Sequence, residues 1–80
     1  MESYTFYRAA LRAFQDNDLL SAKAMVSKAI KLNKIESKFK ILKAWILSRD
    51  GAYNKSNKQA QKILETQPKN QEAIYCKALN

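Results

Sequence analysis

An eighty-residue chain with one glycine, one proline, one cysteine and no histidine has room for a single domain. It excludes a disulfide framework, a four-cysteine metal site and imidazole catalysis. Fifteen Lys and Arg against seven Asp and Glu give a net charge of +8, which biases encounters toward acidic proteins, RNA or anionic lipid. No stretch approaches the roughly 18 apolar residues of a membrane span, and Met1-Glu2-Ser3-Tyr4 does not open a charged and then apolar leader. The expected setting is soluble and cytoplasmic, in a reducing compartment.

So few breakers among so many Ala, Lys, Leu and Gln favour helix throughout, and no run alternates apolar and polar residues as a strand would. The spacing predicts five helices. The first runs from about Ser3, its expected N-cap, to Gln15, with Phe6, Ala9, Ala10, Ala13 and Phe14 as the core stripe. Tyr4, Tyr7, Arg8 and Leu11 fall on the adjoining face. The second, about Leu19 to Asn33, starts behind the capping residue Asp18 and buries Ala22, Val26, Ala29, Ile30 and Leu32. The third, about Glu36 to Arg49, is apolar nearly all round: Phe39, Ile41, Leu42, Ala44, Trp45, Ile46 and Leu47. Such a helix is central in a stack or has a second face that binds something. The fourth runs from about Tyr53 to Thr66, between the permissive backbone of Gly51 and the stop at Pro68. The fifth, about Gln71 to Leu79, follows the turn Pro68-Lys69-Asn70.

The stretch from Asp50 to Asn70 has an upstream counterpart at an offset of 34 residues. Asn17-Asp18 stands where Gly51-Ala52 stands, Leu19 where Tyr53 stands, Ala22 for Ser56, Val26 for Ala60, Ala29-Ile30 for Ile63-Leu64 and Lys34 for Pro68. A fixed period of that length signals stacked helical hairpins. Through Phe6, Ala9, Ala10, Ala13, Ala22, Val26 and Ala29, then Ala44, Leu47, Gly51, Tyr53, Ala60, Ile63 and Pro68, then Ala73, Ile74 and Ala78, the chain resembles the tetratricopeptide repeats. The resemblance covers nearly the whole chain and implies an all-α, right-handed superhelical stack of antiparallel hairpins in one domain, 1–80. Repeat one would be about 3–36, repeat two about 37–70, and 71–80 a partial third repeat or capping helix. Lys34 departs from the usual closing proline, Ser56 from the usual alanine, and Lys40 stands where an aromatic is common. A one-residue shift that turns Phe39, Leu42 and Ile46 inward would relieve Lys40.

Catalysis has little to work with, because the carboxylates are scattered and no glycine-rich phosphate loop or metal-ligand spacing exists. Lone Cys76 reads as an inert, partly buried thiol. The expectation is a non-enzyme without cofactor or metal. In the family it resembles, first helices line a concave groove for an extended peptide or a helix, which implies groove residues at Tyr4, Tyr7, Arg8, Leu11, Lys38, Ile41, Trp45, Arg49, Tyr75 and Leu79. Aromatics flanked by Arg and Lys are also common interface anchors, while Tyr7, Ile41 and Trp45 serve equally well as core. The family's two-carboxylate clamp for acidic chaperone tails is absent, since its positions hold Tyr7, Leu11, Leu42, Glu72 and Cys76. A hydrophobic segment or amphipathic helix fits better.

Lys28, Lys31, Lys55, Lys58 and Lys62 form a basic face on the second and fourth helices. It serves solubility or, as the alternative function, binds RNA or an anionic surface. The aromatics lie away from these lysines, which ranks nucleic acid behind a protein partner. A helix-turn-helix DNA binder with the fourth helix as reader ranks third. The unpaired fifth helix leaves Ile74, Tyr75 and Leu79 partly uncovered, an open end suited to a homodimer or scaffold. With Asn80 falling in mid-pattern and no capping signal, the expectation is a piece of a longer array or assembly, or a chain stabilised by its partner.

Overall fold

The computed structural model describes residues 2–80, and its five helices are α1 (Glu2–Gln15), α2 (Leu19–Leu32), α3 (Ser37–Arg49), α4 (Tyr53–Thr66) and α5 (Gln71–Leu79), with no strand among the described residues. Three helices begin on side-chain caps, which satisfy backbone N–H groups that have no partner inside the helix. Asp18 accepts from the Ser21 N–H at 3.3 Å, Glu36 from the Lys38 N–H at 3.3 Å and Asn70 from the Ala73 N–H at 3.1 Å. Ser3, expected from sequence to be the N-cap of α1, is not: it already lies in the first turn, where Glu2 opposes the positive end of the helix dipole.

The 34-residue offset is written into the backbone. Asn17 and Gly51 both take positive φ, 60° and 83°. Around them the hydrogen bonds correspond one for one: Asp16 to Arg12 and Asp50 to Ile46, Asn17 to Phe14 and Gly51 to Ser48, Asp18 to Ala13 and Ala52 to Leu47. The next turn repeats as well. Asn33 and Gln67 close α2 and α4 with bonds to Ala29 and Ile63, and Glu36 and Asn70 begin α3 and α5 in the same extended conformation.

α3 is the central element, packing against α1, α2, α4 and α5. That is why it is apolar around most of its circumference: Phe39, Ile41, Leu42, Ala44, Ile46 and Leu47 are all buried. Phe39, Leu42 and Ile46 turn inward, Ala44 and Leu47 are buried as well, and Lys40 is half-buried. One core cluster joins Ala10, Ala22, Val26, Ala29, Phe39, Leu42 and Ile46; a second joins Ile41, Ala60, Ile63 and Ala73. The extents, 28 × 25 × 16 Å, leave the short dimension about two helix layers thick.

Three core expectations are corrected. Ala9 is exposed while its neighbour Ala10 is fully buried, because one helical residue turns the side chain by about 100°. Phe6, Ala13 and Phe14 are half-buried against the first cluster rather than inside it. Leu32 is exposed, since the buried stripe Ala22, Val26, Ala29 advances to Asn33.

The end of α5 is held by polar contacts. Asn80 accepts from the Ser48 hydroxyl at 2.6 Å and donates to Ser56 Oγ at 2.8 Å and Asn57 Oδ1 at 3.0 Å. Ser56, fully buried, spends its one proton on the Ala44 carbonyl at 2.7 Å. The Cys76 thiol, 3.5 Å away, is therefore the donor to Ser56 Oγ. These contacts tie the end of α5 to α3 and α4.

Candidate functional site

α1 and α3 lie side by side, and each sends residues three or four apart, hence from one helical face, into a shared concavity. Tyr4, Tyr7, Leu11 and Phe14 come from α1 and Lys38, Ile41, Leu42 and Trp45 from α3, with Glu72 of α5 at the rim; the groove encloses about 400 Å³. Aromatic packing stiffens one wall. The Tyr4 and Phe39 rings meet edge to face at 5.3 Å, the Tyr7 and Phe39 rings lie tilted at 5.0 Å, and Tyr4 meets Tyr7 edge on at 6.2 Å. The Tyr4 hydroxyl donates to Glu36 Oε2 at 2.7 Å, tying the start of α1 to the cap of α3.

The electrostatics follow from these contacts. The Tyr4 hydrogen bond raises that phenol above its ordinary value, and the same bond, helped by the Lys38 N–H, holds the Glu36 carboxyl below its own. Burial raises the Tyr7 phenol, with the negative charges of Glu72 and Glu36 acting in the same direction. Tyr7 therefore offers a groove partner a neutral hydroxyl rather than a charge. Lys38 and Glu72 carry opposite charges at the edge of an apolar floor.

Six of the ten residues expected in the groove line it: Tyr4, Tyr7, Leu11, Lys38, Ile41 and Trp45. Arg8 is exposed and does not. Arg49 packs over the Phe14 ring at 4.3 Å and donates to the Phe14 carbonyl at 3.5 Å, which spends its cation beside the groove. Tyr75 meets the Trp45 ring at 5.9 Å and does not line the groove. Tyr75, Leu79 and Ile74 are exposed on α5, which has no further described helix beyond it to extend the wall. Phe14, Leu42 and Glu72 were missed. The signal for them was present: Phe14 is one helical turn from Leu11, and Glu72 stands 34 residues after Lys38, which stands 34 after Tyr4.

A second concavity, of about 370 Å³, lies between α2, α3 and α4 and is lined by Lys23, Lys43, Leu47, Lys55, Lys58, Gln59 and Lys62. Of the expected basic face it gathers Lys55, Lys58 and Lys62. Lys28 sits over the Phe6 ring at 5.5 Å, and neither it nor Lys31 lines the cleft. Lys23 and Lys43 join in their place, because α3 packs between α2 and α4 and both residues face the cleft it forms with them. Lys23 is paired with Asp50 at 2.6 Å.

Cys76 is fully buried, deeper than expected. Among the described residues no cluster of His, Cys, Asp or Glu is placed to hold a metal ion, and no helix is long and apolar enough to cross a membrane. No known family, no curated protein and no solved structure matches the chain.

Proposed function

We propose that the chain is a tetratricopeptide-type protein-interaction module, a right-handed stack of two antiparallel helical hairpins and the first helix of a third, whose groove takes an amphipathic helical segment of another protein. The observation that carries this reading is the groove itself: apolar side chains from α1 and α3 over about 400 Å³, bordered by one cation and one anion. An apolar floor with a polar rim is the general anatomy of a protein-recognition site, and an apolar stripe at helical spacing is what such a groove accepts. The 34-residue recurrence of turns and caps supports the stacked architecture. Nothing in the groove provides a nucleophile with a base beside it, which supports binding over catalysis.

Trp45 is the only tryptophan in the chain and lines the groove, so its emission reports occupancy directly. Segments selected from a display library of amphipathic helices against the folded chain should shift Trp45 emission. They should lose about tenfold in affinity to the exposed-rim variant Lys38→Glu and to the floor variant Leu11→Asn. Selected segments that leave Trp45 unperturbed and bind both variants unchanged would sink the proposal.

A further inference from the structure

We propose that the lysine cleft between α2, α3 and α4 is a second, separate site, built for a compact anion carrying several phosphate groups. Lys43 and Leu47 lie about half a turn around α3 from Ile41 and Trp45, so the cleft opens on the opposite side of that helix from the groove.

Five lysines from three helices line one concavity, and no carboxylate does; the charge of Lys23 is already met by Asp50, from outside the lining. On α4 alone, Lys55, Lys58 and Lys62 recur at three- and four-residue spacing, the arrangement in which like charges destabilise a helix. Dispersed lysines would serve solubility with less repulsion. The convergence makes sense when an anion offsets the charge.

The floor fixes the kind of anion. Leu47 is buried in the lining, an apolar floor of the kind that lysine stems can cover. Gln59 adds a neutral amide donor. A phosphate group brings close to two negative charges and three acceptor oxygens, so a few phosphates match the four lysines other than Asp50-paired Lys23, where a carboxylate peptide would need a long acidic run. The volume is that of a small-molecule pocket. No aromatic ring lines the cleft, which leaves a nucleic-acid strand without a stacking platform. The shared chemistry is a phosphate cluster, whether on a soluble polyphosphate or on a lipid headgroup.

The test titrates the folded chain with inositol hexakisphosphate and, separately, inorganic phosphate, following backbone amides by NMR. The expected result is saturable hexakisphosphate binding with shifts centred on Lys43, Leu47, Lys58 and Lys62. The exposed pair Lys58→Gln/Lys62→Gln should weaken it at least about tenfold. The pair Lys31→Gln/Lys34→Gln removes the same charge outside the cleft and should change it by less than about twofold. Equal weakening by both pairs, or no tighter binding than inorganic phosphate, would overturn the proposal. So would a single-stranded oligonucleotide that binds more tightly through the same lysines. Phosphatidylcholine vesicles with about 5% phosphatidylinositol bisphosphate separate the sources: sedimentation reversed by soluble inositol trisphosphate supports a lipid headgroup, and binding of hexakisphosphate without sedimentation supports a soluble ligand.

Discussion

The junction where α3 meets α1 and α2 and the junction where α5 meets α3 and α4 share one backbone geometry and differ in the chemistry that fills it. Positions 34 apart make the contrast direct. Phe39, Leu42 and Ile46 in α3 become Ala73 and Cys76 in α5 and Asn80 at its C-cap, and Ala22 and Val26 in α2 become Ser56 and Ala60 in α4. The first junction fills its volume with large apolar side chains and an aromatic wall. The second joins Ile41 and Ile63 to the small residues Ala60 and Ala73 and adds a connected set of hydrogen bonds among Ser48, Ser56, Asn57, Cys76 and Asn80. Apolar burial is non-directional and scales with area, whereas each neutral hydrogen bond adds little net stability. The first junction therefore carries the larger buried side chains, while the second combines a smaller apolar cluster around Ile41 and Ile63 with polar contacts, and the groove is lined from both.

The sharpest way to break that comparison is Phe39→Ala. Phe39 is fully buried at the centre of the first cluster, so its truncation should cost about 3–5 kcal/mol and lower the thermal midpoint by roughly 15–30 °C in a domain of this size. A drop of only a few degrees, measured by circular dichroism, would show that the aromatic wall is not the main support. Asn80→Ala probes the other end. It should cost about 1–2 kcal/mol and act locally, speeding amide exchange in α5 while α1 to α3 keep their protection. Uniform loss of protection would mean that both junctions open together and that the contrast between them has no energetic consequence.

Much of this was legible in the sequence because it follows from local rules. Helix count, the limits of α4 and α5 and the Asp18 cap follow from breakers, caps and spacing, and the 34-residue period follows from comparing the chain with itself. The α3 register was harder, since a helix contacted by four neighbours has no polar face to betray its orientation. Site residues split on the same line. Those on the faces of α1 and α3 that meet across the groove were recoverable through the family resemblance, as Tyr7, Leu11, Ile41 and Trp45 show. Arg49 and Tyr75 were not, because each is captured by one specific ring, and such a capture depends on rotamers and not on register. Lys23 and Lys43 belong to the cleft through the packing of three helices, which no single helix pattern contains.

A smaller effect tests whether the two turns are equivalent. Gly51 has φ of 83° with open space where a Cβ would stand, so Gly51→Ala meets no clash and its cost is conformational, about 1 kcal/mol. The sister turn holds φ of 60° with Asn17, a residue that tolerates this region. Gly51→Asn should therefore cost only a few tenths of a kcal/mol. Equal destabilisation by Ala and Asn in denaturant titrations would show that the turns differ in more than their residues.

The last contrast lies in pH. Tyr4 and Glu36 bridge α1 and α3 at 2.7 Å, while the positions 34 residues on, Lys38 and Asn70, carry no carboxylate–phenol pair. The Glu36 carboxyl is held below its ordinary 4.5, chiefly by the Tyr4 hydroxyl. The folded state thus favours the ionised form, and the resulting stability is present above pH 4.5 and lost as pH falls through the lowered value. Tyr4 is raised above its ordinary 10.0, chiefly by the same bond. Its contribution has the opposite sense, complete below pH 10 and lost as pH rises through the raised value. Tyr4→Phe removes the shared bond and should flatten both limbs of the stability profile. Its deficit relative to the parent chain should be present near neutrality and shrink toward either extreme. Because the bridge is confined to the packed junction, amide exchange below about pH 4 should accelerate at the start of α1 and the cap of α3 before the α4–α5 end responds. A Tyr4→Phe deficit that stays constant across pH would assign the loss to ring packing against Phe39 and would remove the bridge from the account of why the first junction is the stronger one.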